Sequence, residues 1–172
     1  MTKTFGATEV RAALAAGQCD FGENYVQEAL AKMADLAPLR EAIRWHMIGP
    51  LQSNKTRVVA ESFDWVHSVD RLKIAQRLSE QRPAHLPPLQ LCLQVNISGE
   101  ASKSGLLPSE VPAVAAAVAT LPRDKVVLRG LMAIPEPAPD FEAPTDVGGD
   151  NLYAVRATPD MATIGLGAEH TA

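Results

Sequence analysis

Cysteine is scarce in this 172-residue chain: only Cys19 and Cys92 occur, far apart and in no metal or redox spacing. A disulfide framework is not expected, and a reducing, cytoplasmic setting is the simplest reading. No apolar run approaches the roughly 20 residues that span a bilayer. Positive charge is in slight deficit, with 16 Lys and Arg against 20 Asp and Glu and a formal net charge of −4. That balance removes any global attraction to nucleic acid or to an anionic membrane. His67, His85 and His170 have no metal-ligand spacing. The polar stretch Gly99 to Gly105 lacks the glycine–lysine–serine/threonine order of a phosphate loop, so nucleotide binding is not expected. Met1 to Gly6 carries no signal-peptide core, which makes Asn96-Ile97-Ser98 a chance glycosylation sequon. No solenoid-type repeat is present.

What remains is an ordinary globular composition, 47% hydrophobic and 21% charged, of a length that suits one domain or a large part of one. Short apolar runs alternate with amphipathic stretches. Ala7 to Ala16 reads as a helix, with Thr8 near its start and Gly17 as its stop. Cys19 to Gly22 reads as a strand, and Tyr25 to Leu36 as a helix with Val26, Ala29, Leu30 and Met33 on one stripe. Trp45 to Ile48, Phe63 to Val69, Leu89 to Val95 and Val126 to Ile134 are further strands. Helices are expected over Asn54 to Ala60, capped by Ser53; over Arg71 to Gln81, capped by Asp70; and over Ser109 to Thr120. Such alternation argues for a parallel α/β sheet, and leaves open a closed barrel or a doubly wound sheet. The pattern changes after Ile134. Pro135 to Pro139 is proline-rich, and the tail from Asp140 to Ala172 shows only weak strand signals and is expected to be irregular.

Chemistry-bearing residues gather where strands hand over to loops: Phe21-Gly22-Glu23-Asn24, Trp45-His46-Met47-Ile48-Gly49, His67-Ser68-Val69-Asp70, Val95-Asn96-Ile97-Ser98 and Gly130-Leu131-Met132. In parallel α/β folds that edge is the ligand-binding edge. Taken singly these residues have ordinary readings. Lys3 is a solvated lysine, Asn24 a cap of the next helix, His46 a packed histidine and Met132 core filling.

Several blocks together resemble the pyridoxal phosphate homeostasis protein family, itself similar to the N-terminal barrel of alanine racemase. They are Phe21-Gly22-Glu23-Asn24-Tyr25-Val26-Gln27-Glu28, Trp45-His46-Met47-Ile48-Gly49-Pro50-Leu51-Gln52-Ser53-Asn54-Lys55, Gln94 to Gly105, and Arg129-Gly130-Leu131-Met132-Ala133-Ile134. Their order and spacing also agree, and the likeness covers residues 1–139. The resemblance implies a (β/α)8 barrel, here incomplete at about six strand–helix units, that binds pyridoxal 5′-phosphate (PLP) at the C-terminal ends of its strands. It implies that Thr2-Lys3-Thr4 closes a first strand and that Lys3 forms a Schiff base with PLP. Asn24 would lie beside the cofactor ring, with His46, Ser68 and Met132 facing the same mouth. The implied role is intracellular PLP homeostasis without dedicated turnover, with PLP-dependent apo-enzymes as recipients. A racemase-type enzyme fragment and a remnant that has lost PLP are the alternatives. The resemblance also implies a chain truncated at both ends, with Lys3 on a frayed terminus. The family's serine–methionine–glycine–methionine–serine and arginine–isoleucine–glycine–threonine segments are not recognisable. Thr163 to Gly167 only echoes the second, and no phosphate role is assigned to it.

Overall fold

The computed structural model describes residues 1–97 and 104–134, and the backbone of 153–156. Helix α1 (Ala7–Ala15) precedes strand β1 (Asp20–Glu23), and helix α2 (Val26–Asp35) leads through a 3-10 turn to β2 (Arg44–Met47). Then follow α3 (Thr56–Ser62), β3 (Trp65–Val69), α4 (Leu72–Gln81), β4 (Leu89–Val95), α5 (Val111–Ala119), β5 (Val126–Ala133) and β6 (Tyr153–Arg156). The sheet order is β1-β2-β3-β4-β5-β6. β1 to β5 are parallel, each joined to the next across a helix, and β6 is antiparallel to β5.

That order settles what the sequence pattern left open. A doubly wound sheet reverses its strand order at a switch point. Here each new strand is added beside the last in the same direction, which is the winding of a barrel wall. β6 departs from the irregular tail expected over 140–172. Four residues are too few to show a period in the sequence, and the open edge of β5 supplies a pairing partner for any extended segment. The rest of that tail, Thr163 to Gly167 included, lies outside the described residues.

Strand alternation and register give the sheet two chemically distinct faces. On one face Phe21, Trp45, Met47, Val66, Leu89, Leu91 and Leu93 join the helices' Ala29, Val59, Ile74, Leu78 and Val118 in a single buried core. The register puts Asp20 and Gly22 beside Arg44 and His46, His46 beside Trp65, Trp65 beside Gln90, and Gln94 beside Met132 on the opposite face. A bulge interrupts β3, where Val66 pairs Leu91 but Val69 pairs Leu93. Ser68 lies inside it, so alternation assigns that residue no face.

Helix ends differ from expectation more than helix positions do. Gly17 ends α1 as expected, at φ 95°, where a side chain would be strained. The start of α1 is held by Glu9, whose Oε2 accepts from the Gly6 N–H at 2.9 Å. Thr8 is its second residue, near the start as expected. α4 begins after Arg71 with no side-chain cap, because Asp70 instead accepts from the Arg71 guanidinium. Ser53 opens the 3-10 turn Ser53–Lys55 that precedes α3, and its hydroxyl accepts from Arg71.

Candidate functional site

The C-terminal ends of β1 and β2 carry the densest polar structure. Glu23, the last residue of β1, points to the helix side of the sheet and is fully buried. α2 turns Lys32 onto the same spot, three residues after buried Ala29. The two form an ion pair, Lys32 Nζ to Glu23 Oε1, at 2.6 Å, with side-chain exposures of 8% and 0%. Both also grip Thr2. The Thr2 hydroxyl donates to Glu23 Oε1 at 2.6 Å, the Thr2 N–H donates to the Gly22 carbonyl at 2.9 Å, and Lys32 Nζ donates to the Thr2 carbonyl at 2.7 Å. The Phe5 N–H closes a turn onto that same carbonyl at 3.0 Å.

Lys3 and Thr4 are therefore the central residues of a turn whose first residue is fastened to β1. Lys3 is on no strand of this chain, since only Thr2 reaches the β1 edge. One expectation is corrected: its segment is anchored instead of frayed. Its side chain is exposed.

Asn24 follows directly and is half-buried. The helix-cap reading fails, since Tyr25 is the N-cap of α2 and no side chain bonds there. Asn24 Oδ1 is buried without a hydrogen-bond partner among the described residues. Gly49 explains its confinement: a Cβ there would overlap the Asn24 backbone, so β2 can hand over to its loop this close to β1 only through glycine. Asn24, Tyr25, Gln27, Pro50, Gln52 and Lys55 line a cleft of about 480 Å³ at this end of the sheet, within the size range of small-molecule sites.

The other three candidates are placed differently. Met132 is fully buried near the end of β5. Ser68 is 2% exposed, and its hydroxyl has no partner among the described residues. His46 lies deeper on the face away from the helices, with both ring nitrogens engaged. Its Nε2 is 3.0 Å from Asp20 Oδ1, and its Nδ1 is 3.0 Å from His67 Nε2. Trp65 stacks on both imidazoles, with centroids 5.4 and 5.7 Å away. The carboxylate of Asp20 can only accept, so His46 Nε2 carries the proton and donates. His46 Nδ1 then accepts from His67 Nε2–H, leaving the buried His67 Nδ1 as a bare lone pair, in keeping with its lack of a partner.

Burial, followed by the His46 charge, lowers the His67 pKa to about 4. Burial likewise lowers that of His46, with Asp20 opposing. The Arg44 hydrogen bond chiefly holds Asp20 down, at about 2. A folded-state histidine pKa below its unfolded value costs stability as pH falls, because the unfolded chain then binds more protons. The His67 contribution is absent above the ordinary value of 6.5 and grows down to about 4, reaching on the order of 3 kcal/mol. Thermal unfolding is expected at a lower midpoint near about pH 5 than near about pH 7.5, and His67→Gln should shrink that difference. Asp20 acts in the same sense in a lower window: its stabilisation is present above 3.8 and is lost as pH falls toward about 2.

The sequence blocks pointed to Lys3, Asn24, His46, Ser68 and Met132, but not to the contacts that join Thr2, Glu23 and Lys32 or Asp20, His46 and His67. Lys32 did carry a signal, since a charge three residues after Ala29 falls on the apolar stripe of α2. Among the described residues no group of three or more His, Cys, Asp or Glu could hold a metal ion, and no helix is long and apolar enough to cross a membrane.

The sequential parallel sheet, with its polar cluster at the strand ends, defines an α/β barrel-wall protein with a lysine at the mouth. Residues 1–156 match the family described as alanine racemase, N-terminal domain. The chain is 66% identical over 143 residues to the pyridoxal phosphate homeostasis protein of Pseudomonas aeruginosa, covering 83% of this chain and 60% of that protein. It is 48% identical over 172 residues to the Escherichia coli protein of the same name, covering 97% and 73%. The structure of PipY from Synechococcus elongatus with PLP bound superimposes with a TM-score of 0.69 at 42% identity, over 78% of this chain and 60% of that one. The chain belongs to the pyridoxal phosphate homeostasis protein family. It spans about 60% of the length of the Pseudomonas and Vibrio cholerae relatives.

The described residues fit the aldehyde and ring of PLP. An amine stands on an anchored turn at the strand ends, and next to it along the sheet edge Asn24 Oδ1 is an unused acceptor.

Proposed function

We propose that this chain binds PLP in a reducing, cytoplasmic setting and takes part in PLP homeostasis, holding the cofactor and giving it up to PLP-dependent apo-enzymes without dedicated turnover. The observation that carries this reading is the anchored turn: Thr2 is held by Gly22, Glu23 and Lys32, and Lys3 is the next residue. Lys3 is the amine. Lys3 would hold the cofactor through its side-chain amine, and PLP, when bound, would supply the aldehyde that such an amine can engage reversibly. Asn24 would lie beside the ring, and Met132, Ser68 and His46 would face the same mouth, His46 with its nitrogens committed to Asp20 and His67.

The test is a titration of the purified chain with PLP, followed by visible absorbance. A Schiff-base band that saturates in the wild type and is lost in Lys3→Ala is the expected result. No band at all would leave a remnant without cofactor, and PLP-dependent racemisation of an added amino acid would make the chain an enzyme fragment.

A further inference from the structure

We propose that Glu23, through Lys32 and the Thr2 hydroxyl, is a positioning residue for Lys3. The inference deepens the PLP reading and rests on it for its functional meaning. Every polar atom of Thr2 is used. Its N–H and hydroxyl both reach the Gly22 carbonyl, at 2.9 and 3.2 Å, the hydroxyl also reaches Glu23 Oε1 at 2.6 Å, and its carbonyl accepts from Lys32 Nζ at 2.7 Å. Glu23 Oε1 receives both the Thr2 hydroxyl and the Lys32 ammonium.

Met1, Lys3, Thr4, Phe5 and Gly6 are all exposed, and Thr2 alone is half-buried. The backbone entropy of fixing such residues is about 1–2 kcal/mol each, and the partial burial of Met1 and Phe5 is the main apolar contribution to set against it. Charge-assisted hydrogen bonds to a buried carboxylate and ammonium are the strong kind. They fix the residue whose carbonyl carbon is bonded to the Lys3 nitrogen, and so fix where the lysine side chain starts. An amine held in place meets an aldehyde without first losing chain freedom. The carboxylate needs no contact with PLP to act in this way.

The test uses Thr2→Val, which keeps shape and backbone but has no hydroxyl, and Thr2→Ser, which restores it. Glu23→Gln serves as a second, isosteric change. In the PLP-free protein, amide hydrogen exchange of the peptide covering residues 1–6 should quicken in Thr2→Val and Glu23→Gln and return toward wild type in Thr2→Ser. In the presence of PLP, half-saturation of the visible band should move up about tenfold in Thr2→Val, the size expected for one charge-assisted hydrogen bond, and recover in Thr2→Ser. Unchanged exchange in Thr2→Val overturns the positioning role whether or not PLP binds. Faster exchange with an unmoved half-saturation overturns its link to the cofactor. A wild-type chain that shows no band, while exchange responds as expected, sinks the PLP reading and leaves the clamp standing.

Discussion

Lys32→Met is expected to lower the stability of the chain by about 3–5 kcal/mol, a large share of the 5–15 kcal/mol typical of a domain. The reason is what stays behind. Glu23 is fully buried, and its Oε1 receives the Lys32 ammonium at 2.6 Å, while Oε2 already lacks a partner among the described residues. Removing the ammonium leaves a carboxylate in a low-dielectric site with only the Thr2 hydroxyl to solvate it. The pair itself need not be strongly stabilising, since two desolvated charges roughly cancel their attraction. The double variant Glu23→Leu with Lys32→Met should therefore recover most of the loss. Urea unfolding of the two single variants and the double supplies the cycle. A loss below about 1 kcal/mol in Lys32→Met, typical of an exposed pair, would show that the pair is not closed off from water.

A similar loss, about 3 kcal/mol or more, is expected for Arg82→Met, at the other end of the sheet. Arg82 is 3% exposed, and its guanidinium donates to the carbonyls of Ala60 at 2.6 Å, Phe63 at 2.8 Å and Pro87 at 2.6 Å. Ala60 and Phe63 belong to the end of α3, where backbone carbonyls run out of helical donors. Pro87 lies in the loop that leads into β4, so one planar group fastens a helix end to the next strand. Burial pushes its pKa down from the usual arginine value, and the array of carbonyls is what compensates. Lysine offers a point charge in place of a fork, so Arg82→Lys should restore less than half of the difference. Guanidinium chloride unfolding of both variants checks this. Full recovery by lysine would mean that charge and not geometry does the joining.

Much of the architecture was legible in the sequence because the strands are apolar and evenly spaced. Leu89, Leu91, Leu93 and Val95 alternate as a half-buried strand must, and they line the core as expected. Parallel direction was legible in the alternation; strand order was not, since a parallel sheet wound in sequence and one wound both ways share the same local alternation. The caps were misjudged at Asp70 and Ser53 for a common reason: Arg71 reaches both side chains, and a long-range or neighbouring cation outcompetes a backbone N–H for an oxygen. At the mouth, Asn24 and Lys3 were read from family blocks, but what holds them was not. Gly49 confines Asn24 by a steric clash that only three-dimensional proximity creates. Lys32 lies nine residues from Glu23 and thirty from Thr2, and no local pattern links an N-terminal threonine to a helix lysine.

Covalent mapping bears most directly on the role of Lys3. The chain is mixed with PLP, reduced with borohydride so that any C=N bond becomes a stable secondary amine, and digested for peptide mass mapping. Label concentrated on the peptide that carries Lys3, and reduced in Thr2→Val, is the expected outcome. Label as rich on the exposed Lys73 as on Lys3 would contradict a PLP site built around the anchored turn.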